Sequence, residues 1–318
     1  LNLKTNLDTT TTALISSVVV YSADVIIKTN GFTTSGDGGA SSWKQNGLTG
    51  QTVSQSPAQL GNALLNDALG NQWAFVGVAL FVEQVGGILN GIIDNTLVSG
   101  VLKSWSNSTG GNVYFGIGTY VTSSISANNI SISLVGLNKE LSIIKLINGA
   151  NDNLLSTANG GSLSVKNLTL DQNRSNQTGG HGIRGGGGNK LHLDDVQILN
   201  SFSYGIGIQS GTNKNMSFNN LRIDNAGLDG IDIKDFNLDN ETAMITNLVI
   251  SNYGFDSTNN TAVALDVRGP INASNIEIST IAQSRGIRTR QATSQGRAAS
   301  GVISSVTING VTATDSIG

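Results

Sequence analysis

The chain has 318 residues, of which 12% are charged and 5% aromatic, with 40 glycines, 2 prolines, no cysteine and a formal net charge of -3. Without cysteine there is no disulfide framework or thiolate site, and His181 and His192 are too few for a multi-histidine centre, so neither a metal nor another cofactor is expected. No block of Lys or Arg offers a nucleic-acid footprint, and the longest apolar runs, at 14–20 and 73–82, are too short or too interrupted to enter a membrane.

Taken in chain order, residues 1–24 combine a Thr run with an apolar stretch that reads as packing between copies of a chain. Residues 25–85 form a neck or connector containing Lys28, Asn30, Gly31 and Phe32, then 36–40 (Gly-Asp-Gly-Gly-Ala) and Trp43. Residues 86–318 are expected to be one solenoid. It is led by Gly86 and Gly87, then Asn90, Asp94 and Asn95, then a helix running to about Trp105 with Asp94 or Asn95 as its N-cap. A first strand follows near Gly110, Gly111, Phe115 and Tyr120. The chain starts on Leu1 and stops in mid-pattern at Gly318, which reads as a segment cut at both ends.

The solenoid is read from a repeat. A phrase alternating apolar and polar residues around an Asn occurs at Leu163, Val165, Asn167, Leu168, Leu170 and at Met216, Phe218, Asn220, Leu221, Ile223. It returns around Asn247 and Asn275. Weaker copies surround Asn129, Asp195 (in the Asn place) and 306–313, where Gly310 takes that place. From 167 to 275 the steps are 28, 25, 27 and 28 residues, a period that means one coil of a solenoid per copy. Alternation on both sides of the Asn makes each phrase two short strands meeting at a bend, and the Asn side chains are expected to stack as a structural ladder there.

A second phrase sits between copies of the first: His181-Gly-Ile183, Tyr204-Gly-Ile206, Asp229-Gly-Ile231, Val263-Ala-Leu265 and Arg285-Gly-Ile287. It supplies a third strand per coil, and three strands per coil describe an all-β, right-handed, single-stranded parallel β-helix.

The lead-in at 28–43 and the longer pattern at 82–121 resemble phage tailspikes and the pectate-lyase-like superfamily, in which a helix caps the open end of the solenoid before the first strand. Asn90 stands where that pattern has Asp, and residues 115–118 lack its usual proline. The resemblance implies a homotrimer on a phage virion. Residues 1–24 would then be its virion-proximal segment, contacting other tail proteins, and a bacterial capsular or O-polysaccharide would be bound at the host surface. It does not fix the sugar, because this fold hosts many activities.

With Ile or Leu of the third strand facing inward, the flanking residues face out. One outward column then holds Arg184, Gly207, Asp232, Asp266 and Arg288, and its neighbour holds Gly186, Gln209, Lys234, Arg268 and Arg290. Asp232 and Asp266 become vertical neighbours about 5 Å apart, the carboxylate spacing of retaining glycoside hydrolysis. They are the candidate catalytic pair, with Asp229, Asp224 and Asp235 as nearby substitutes and Arg184, Gln209, Lys234, Arg268 and Arg288 as candidate substrate ligands. Tyr204 is a candidate platform for a sugar ring. His181 is a further acid/base candidate, read first as an exposed turn residue, and the glycines at 185–188 lack the Lys and Ser or Thr of a phosphate loop. Two other readings stay open. Alternating Asp and Arg can be a register-holding set of ion pairs on a passive adhesive fibre. Alternatively, Lys234, Arg268 or Arg288 can serve a polysaccharide lyase acting next to a uronate.

Overall fold

The computed structural model describes residues 112–187, 190–209, 215–234, 242–256, 261–279, 285–290 and 301–310, together with residues 80–85 and several short N-terminal segments. The chain divides into two compact units, residues 1–120 with 132–135 and residues 121–131 with 136–318. In the first, strands Lys4–Asn6, Ile26–Thr29, Ser41–Gln45, Gln72–Phe75 and Leu64–Asn66 form a sheet in that order. Leu80–Phe81 pairs in parallel with Val113–Phe115, and Tyr120 donates a short hydrogen bond to Glu83. The capping helix expected between Asp94 and Trp105 lies outside the described residues.

The second unit is a parallel β-solenoid of about six turns. One face is built from long strands, Ser162–Asp171, Lys190–Ser201, Asn215–Ala226, Ala243–Tyr253, Ile271–Ser279 and Gly301–Asn309, each paired in parallel with the next. The other face is a seven-stranded sheet of short strands in the order Arg285–Arg290, Val263–Arg268, Ile231–Ile233, Ile206–Ile208, Ile183–Gly186, Leu155–Ala158 and Ile125–Asn128. Period-two alternation is what sends the apolar residues inward. Leu168, Val196, Leu221, Leu248 and Ile276 stack in register and are all buried, as are Leu155, Ile183, Ile206, Ile231 and Leu265 opposite them. A side chain of this size contributes roughly 1.5–3 kcal/mol on burial, so each coil is stabilised chiefly by these stacks.

Each long strand bends at the repeated Asn. Asn129, Asn167, Asp195, Asn220, Asn247 and Asn275 all take left-handed backbone angles, with φ between 49° and 56°. Asn and Asp tolerate that region better than other residues with a side chain, because a short polar group can bond locally there. The ladder runs between coils. Asn220 Nδ2 donates to Asp195 Oδ1 at 2.6 Å, and Asn275 Nδ2 to Asn247 Oδ1 at 3.1 Å. In the last described coil the position belongs to Ser305 (φ 55°), not Gly310, because Ile276 pairs with Val306 and so fixes Asn275 opposite Ser305. A second ladder five residues further on was not read from the sequence. Asn200, Asn225 and Asn252 also have positive φ, and Asn225 Nδ2 donates to Asn200 Oδ1 at 2.7 Å.

Candidate active site

The short-strand face positions the candidate site. Its register places Arg184 beside Gly207, Gly207 beside Asp232, Asp232 beside Asp266, and Asp266 beside Arg288. This is the outward column expected from the third-strand phrase, and it holds across the 34-residue step between Gly230 and Ala264. Arg268 pairs with Arg290 in the neighbouring column.

These positions converge on a pocket of about 230 Å³ whose lining includes Tyr204, Asp229, Asp232, Lys234, Asp266 and Arg288. Leu228, Arg268, Arg290 and residues 261–262 complete its wall. Arg184 and Gln209 lie on the same sheet but away from it; Gln209 is held by its backbone N–H to the Gly185 carbonyl at 2.8 Å. Asp224 belongs to the opposite face, where it accepts from Ser251 and Asn252, and Asp235 lies outside the described residues.

Three carboxylates meet in the pocket. Asp229, Asp232 and Asp266 are all buried, and one oxygen of each lies within 4.8 Å of the others. Asp229 precedes its strand at a tight turn in which Gly230 has no room for a side chain, since a Cβ there would meet the Ala264 carbonyl at 2.6 Å. Asp229 Oδ1 accepts from the Val263 backbone N–H at 2.7 Å. Asp232 Oδ2 lies 3.3 Å from Lys234 Nζ, while its buried Oδ1 has no hydrogen-bond partner. Asp266 is held by arginines on both oxygens: Arg288 Nη2 donates to Oδ2 at 2.7 Å, Arg290 Nε to Oδ1 at 3.2 Å, and Arg290 Nη2 makes a further short bond to Oδ2. Three carboxylates can also hold a hard cation. Here Lys234 lies against Asp232 Oδ2 and the arginines bond both oxygens of Asp266, while Asp232 Oδ1 is left without a partner.

The surroundings separate the three acids. Burial pushes Asp229 up to about 7, opposed by the Val263 N–H and reinforced by the charges of Asp232 and Asp266. Burial also raises Asp232, with Lys234 opposing it. Burial acts on Asp266 too, but the hydrogen bonds from Arg288 and Arg290 outweigh it and hold the group below the ordinary carboxylate range. The pocket therefore presents an acid that titrates near neutral pH beside one that stays ionised, an arrangement characteristic of acid/base sites.

On the rim, Tyr204 lies 4.9 Å from the His181 ring at a tilt of 30°, and Lys234 Nζ stands 5.6 Å above the Tyr204 ring. His181 is half-buried rather than an exposed turn residue. Burial, then Arg184 and Lys234, push it down to about 4, so it is neutral at neutral pH. Arg290 and Asp229 are the members that sequence reasoning left at the margin. Arg290 was placed in a column without a role, and Asp229 stood only as a substitute because it precedes the strand whose alternation was being read. The signal for Asp229 was its offset of three residues from Asp232 across a glycine.

Fold and pocket together define a parallel β-helix with a buried acid cluster on its short-strand face. The protein is similar in structure to WceF of Pantoea stewartii, a glycan biofilm modifying enzyme with a bacteriophage tailspike-like parallel β-helix fold, with a TM-score of 0.60 and 11% identity over 98% of this chain and 49% of that one. It is likewise similar to the enzymatically active domain of tailspike protein 2 of bacteriophage CBA120 (TM-score 0.54, 15% identity, 96% of this chain and 52% of that one). The tailspike of Acinetobacter phage vB_ApiP_P1 gives a TM-score of 0.52 at 9% identity over 90% of this chain and 52% of that one. The chain thus spans about half the length of these proteins. No protein-family model and no curated protein matches the sequence.

Proposed function

We propose that this chain is the glycan-binding and glycan-cleaving part of a phage tailspike, and that it hydrolyses a bacterial capsular or O-polysaccharide by double displacement. The observation that carries the reading is the buried trio of Asp229, Asp232 and Asp266, with their oxygens within 4.8 Å of one another in one pocket. Asp229, in its protonated form, gives its proton to the glycosidic oxygen as the bond to the anomeric carbon breaks. Asp232, with Oδ1 free of partners, attacks that carbon and forms a glycosyl ester. Water, deprotonated by the Asp229 carboxylate, then attacks the anomeric carbon, releasing the sugar and returning Asp229 to its acid and Asp232 to its carboxylate. Close carboxyl groups leave no room for an inverting water, which supports retention. Asp266 keeps the arginines in place as a positioning residue. Tyr204 offers a sugar-stacking face.

By the same reading the chain works as a homotrimer on the virion tail, attached to other tail proteins through the residues ahead of the solenoid, and acts at the host cell surface. Likeness of fold to tailspikes supports this part. The test is incubation of the protein with purified capsular and O-polysaccharides. New reducing ends without the ultraviolet absorbance of unsaturated uronates are expected, and their loss in Asp232→Asn. Appearance of that absorbance would move the assignment to a lyase, and unchanged polymer across the panel would leave a passive adhesive fibre.

A further inference from the structure

The pocket is layered by charge. The side chains of Asp266 and Asp232 form its floor, 1% and 4% exposed, whereas Lys234, Arg268, Arg288 and Arg290 stand above them at 25%, 20%, 27% and 38%. A ligand entering the pocket therefore meets cations first. The charges also fail to cancel. Lys234 is matched by Asp232, but three guanidinium groups share the single carboxylate of Asp266, with Arg268 at 3.8 Å and Arg288 at 2.7 Å. Asp229, half-protonated near pH 7, supplies less than one more negative charge. This surplus of positive charge is local, since the whole chain carries -3 and four of its 18 Lys and Arg residues are gathered here.

A half-buried cation rim with too few anions is costly unless an incoming anion balances it, and guanidinium forks match a planar carboxylate. At about 230 Å³ the pocket is below the roughly 300–1,000 Å³ of sites that enclose whole small molecules, so it takes one sugar unit of a longer chain. We propose that the sugar unit bound at this pocket carries a carboxylate, which makes the recognised polysaccharide acidic, and that the rim of Arg268, Arg288 and Arg290 with Lys234 is its receptor. The inference rests on the glycan-binding half of the function proposed above and does not require cleavage.

The test uses the full chain as Asp229→Asn, which puts a neutral amide in place of a half-protonated acid and slows turnover below the time of a binding measurement. Binding is measured to a panel of purified bacterial polysaccharides, acidic and neutral, each in native and carboxyl-reduced form. Every polymer bound is expected to be acidic, and its affinity to fall at least about ten-fold on carboxyl reduction, the loss of one charge-assisted contact. Arg288→Ala is expected to give a similar fall and Arg288→Lys a smaller one, with folding checked by circular dichroism. Equal binding of neutral polymers, or indifference to carboxyl reduction, overturns the acidic-sugar inference; if the wild type still makes reducing ends from those polymers, the hydrolase reading survives. Conversely, acidic polymers bound but never cut by the wild type sink the hydrolase reading alone, and a panel with no bound member overturns both.

Discussion

Asp229 and Asp266 share a pocket, yet the protein holds them at opposite ends of the carboxylate range, one raised by burial to about 7 and the other lowered by two arginines. An acid catalyst of this kind loses its proton as pH rises through about 7, so turnover is expected to decline over that range, with the limb removed in Asp229→Asn. That variant is expected to lose about 10²–10⁴-fold in kcat, the usual contribution of a general acid. Stability should fall with rising pH as well. Because the folded state raises Asp229 above its ordinary value, its contribution is fully present below about pH 4 and is lost as pH rises through about 7. Asp229→Asn removes that loss, so it is expected to be more stable than the wild type at pH 8, by about 2–4 kcal/mol, and no more stable at pH 4. Thermal unfolding of both proteins at the two pH values checks it. For Asp266 the sign reverses: its contribution is present above the ordinary carboxylate range and is lost as pH falls through its lowered value. Asp266→Asn leaves three guanidiniums without their carboxylate and is expected to cost about 3–5 kcal/mol, whereas Asp232→Asn should abolish turnover at a smaller cost in stability. Denaturant titration beside a reducing-end assay separates the two.

At the scale of the element, the bent long strand is the unit that repeats. Its bend needs a left-handed residue, and the side chain there binds the coil next to it. Asn220→Ala is therefore expected to cost about 2–3 kcal/mol, through the left-handed backbone and the lost bond to Asp195, while Asn220→Gly, which keeps the backbone freedom, should cost about half as much. Equal losses in the two variants would count against the backbone explanation. Gly230 sets a stricter limit, because the Ala264 carbonyl and the Ile250 side chain stand where its Cβ would be, at 2.6 Å and 2.7 Å. Since Asp229 and Asp232 flank it, Gly230→Ala is expected to reduce both stability and turnover. The strands were legible because alternation and a period in the twenties are one-dimensional signals. The second ladder at Asn200, Asn225 and Asn252 was equally regular but falls outside the apolar phrase used to find the first. Gly310 is not the bend because the alternation of Val306, Ile308, Val311 and Ala313 fits the phrase one strand too late, whereas the pairing of Ile276 with Val306 decides the register.

On the scale of the whole molecule, a solenoid is stabilised coil by coil through nearest neighbours, so variants in separate coils should add while those in adjacent coils couple. Among the described residues no helix is long and apolar enough to cross a membrane. If the chain works as a tailspike, sedimentation equilibrium should find three copies per particle; a monomer would favour a secreted enzyme of the same fold.

The sequence by itself determined the parallel β-helix, the bend residues as far as Asn275 and the vertical alignment of Asp232 with Asp266, because each follows from spacing and from the fixed geometry of a stacked strand. Only the tertiary structure decided which neighbours of that column close into a pocket. Arg184 and Gln209 satisfy the same alternation as Arg268 and Arg288, yet they stand clear of it, and Asp229 enters it from a turn that alternation does not govern. Protonation was decided there as well, since it depends on how deeply each carboxylate is buried and on which cations reach it from adjacent coils, distances that a linear sequence does not contain.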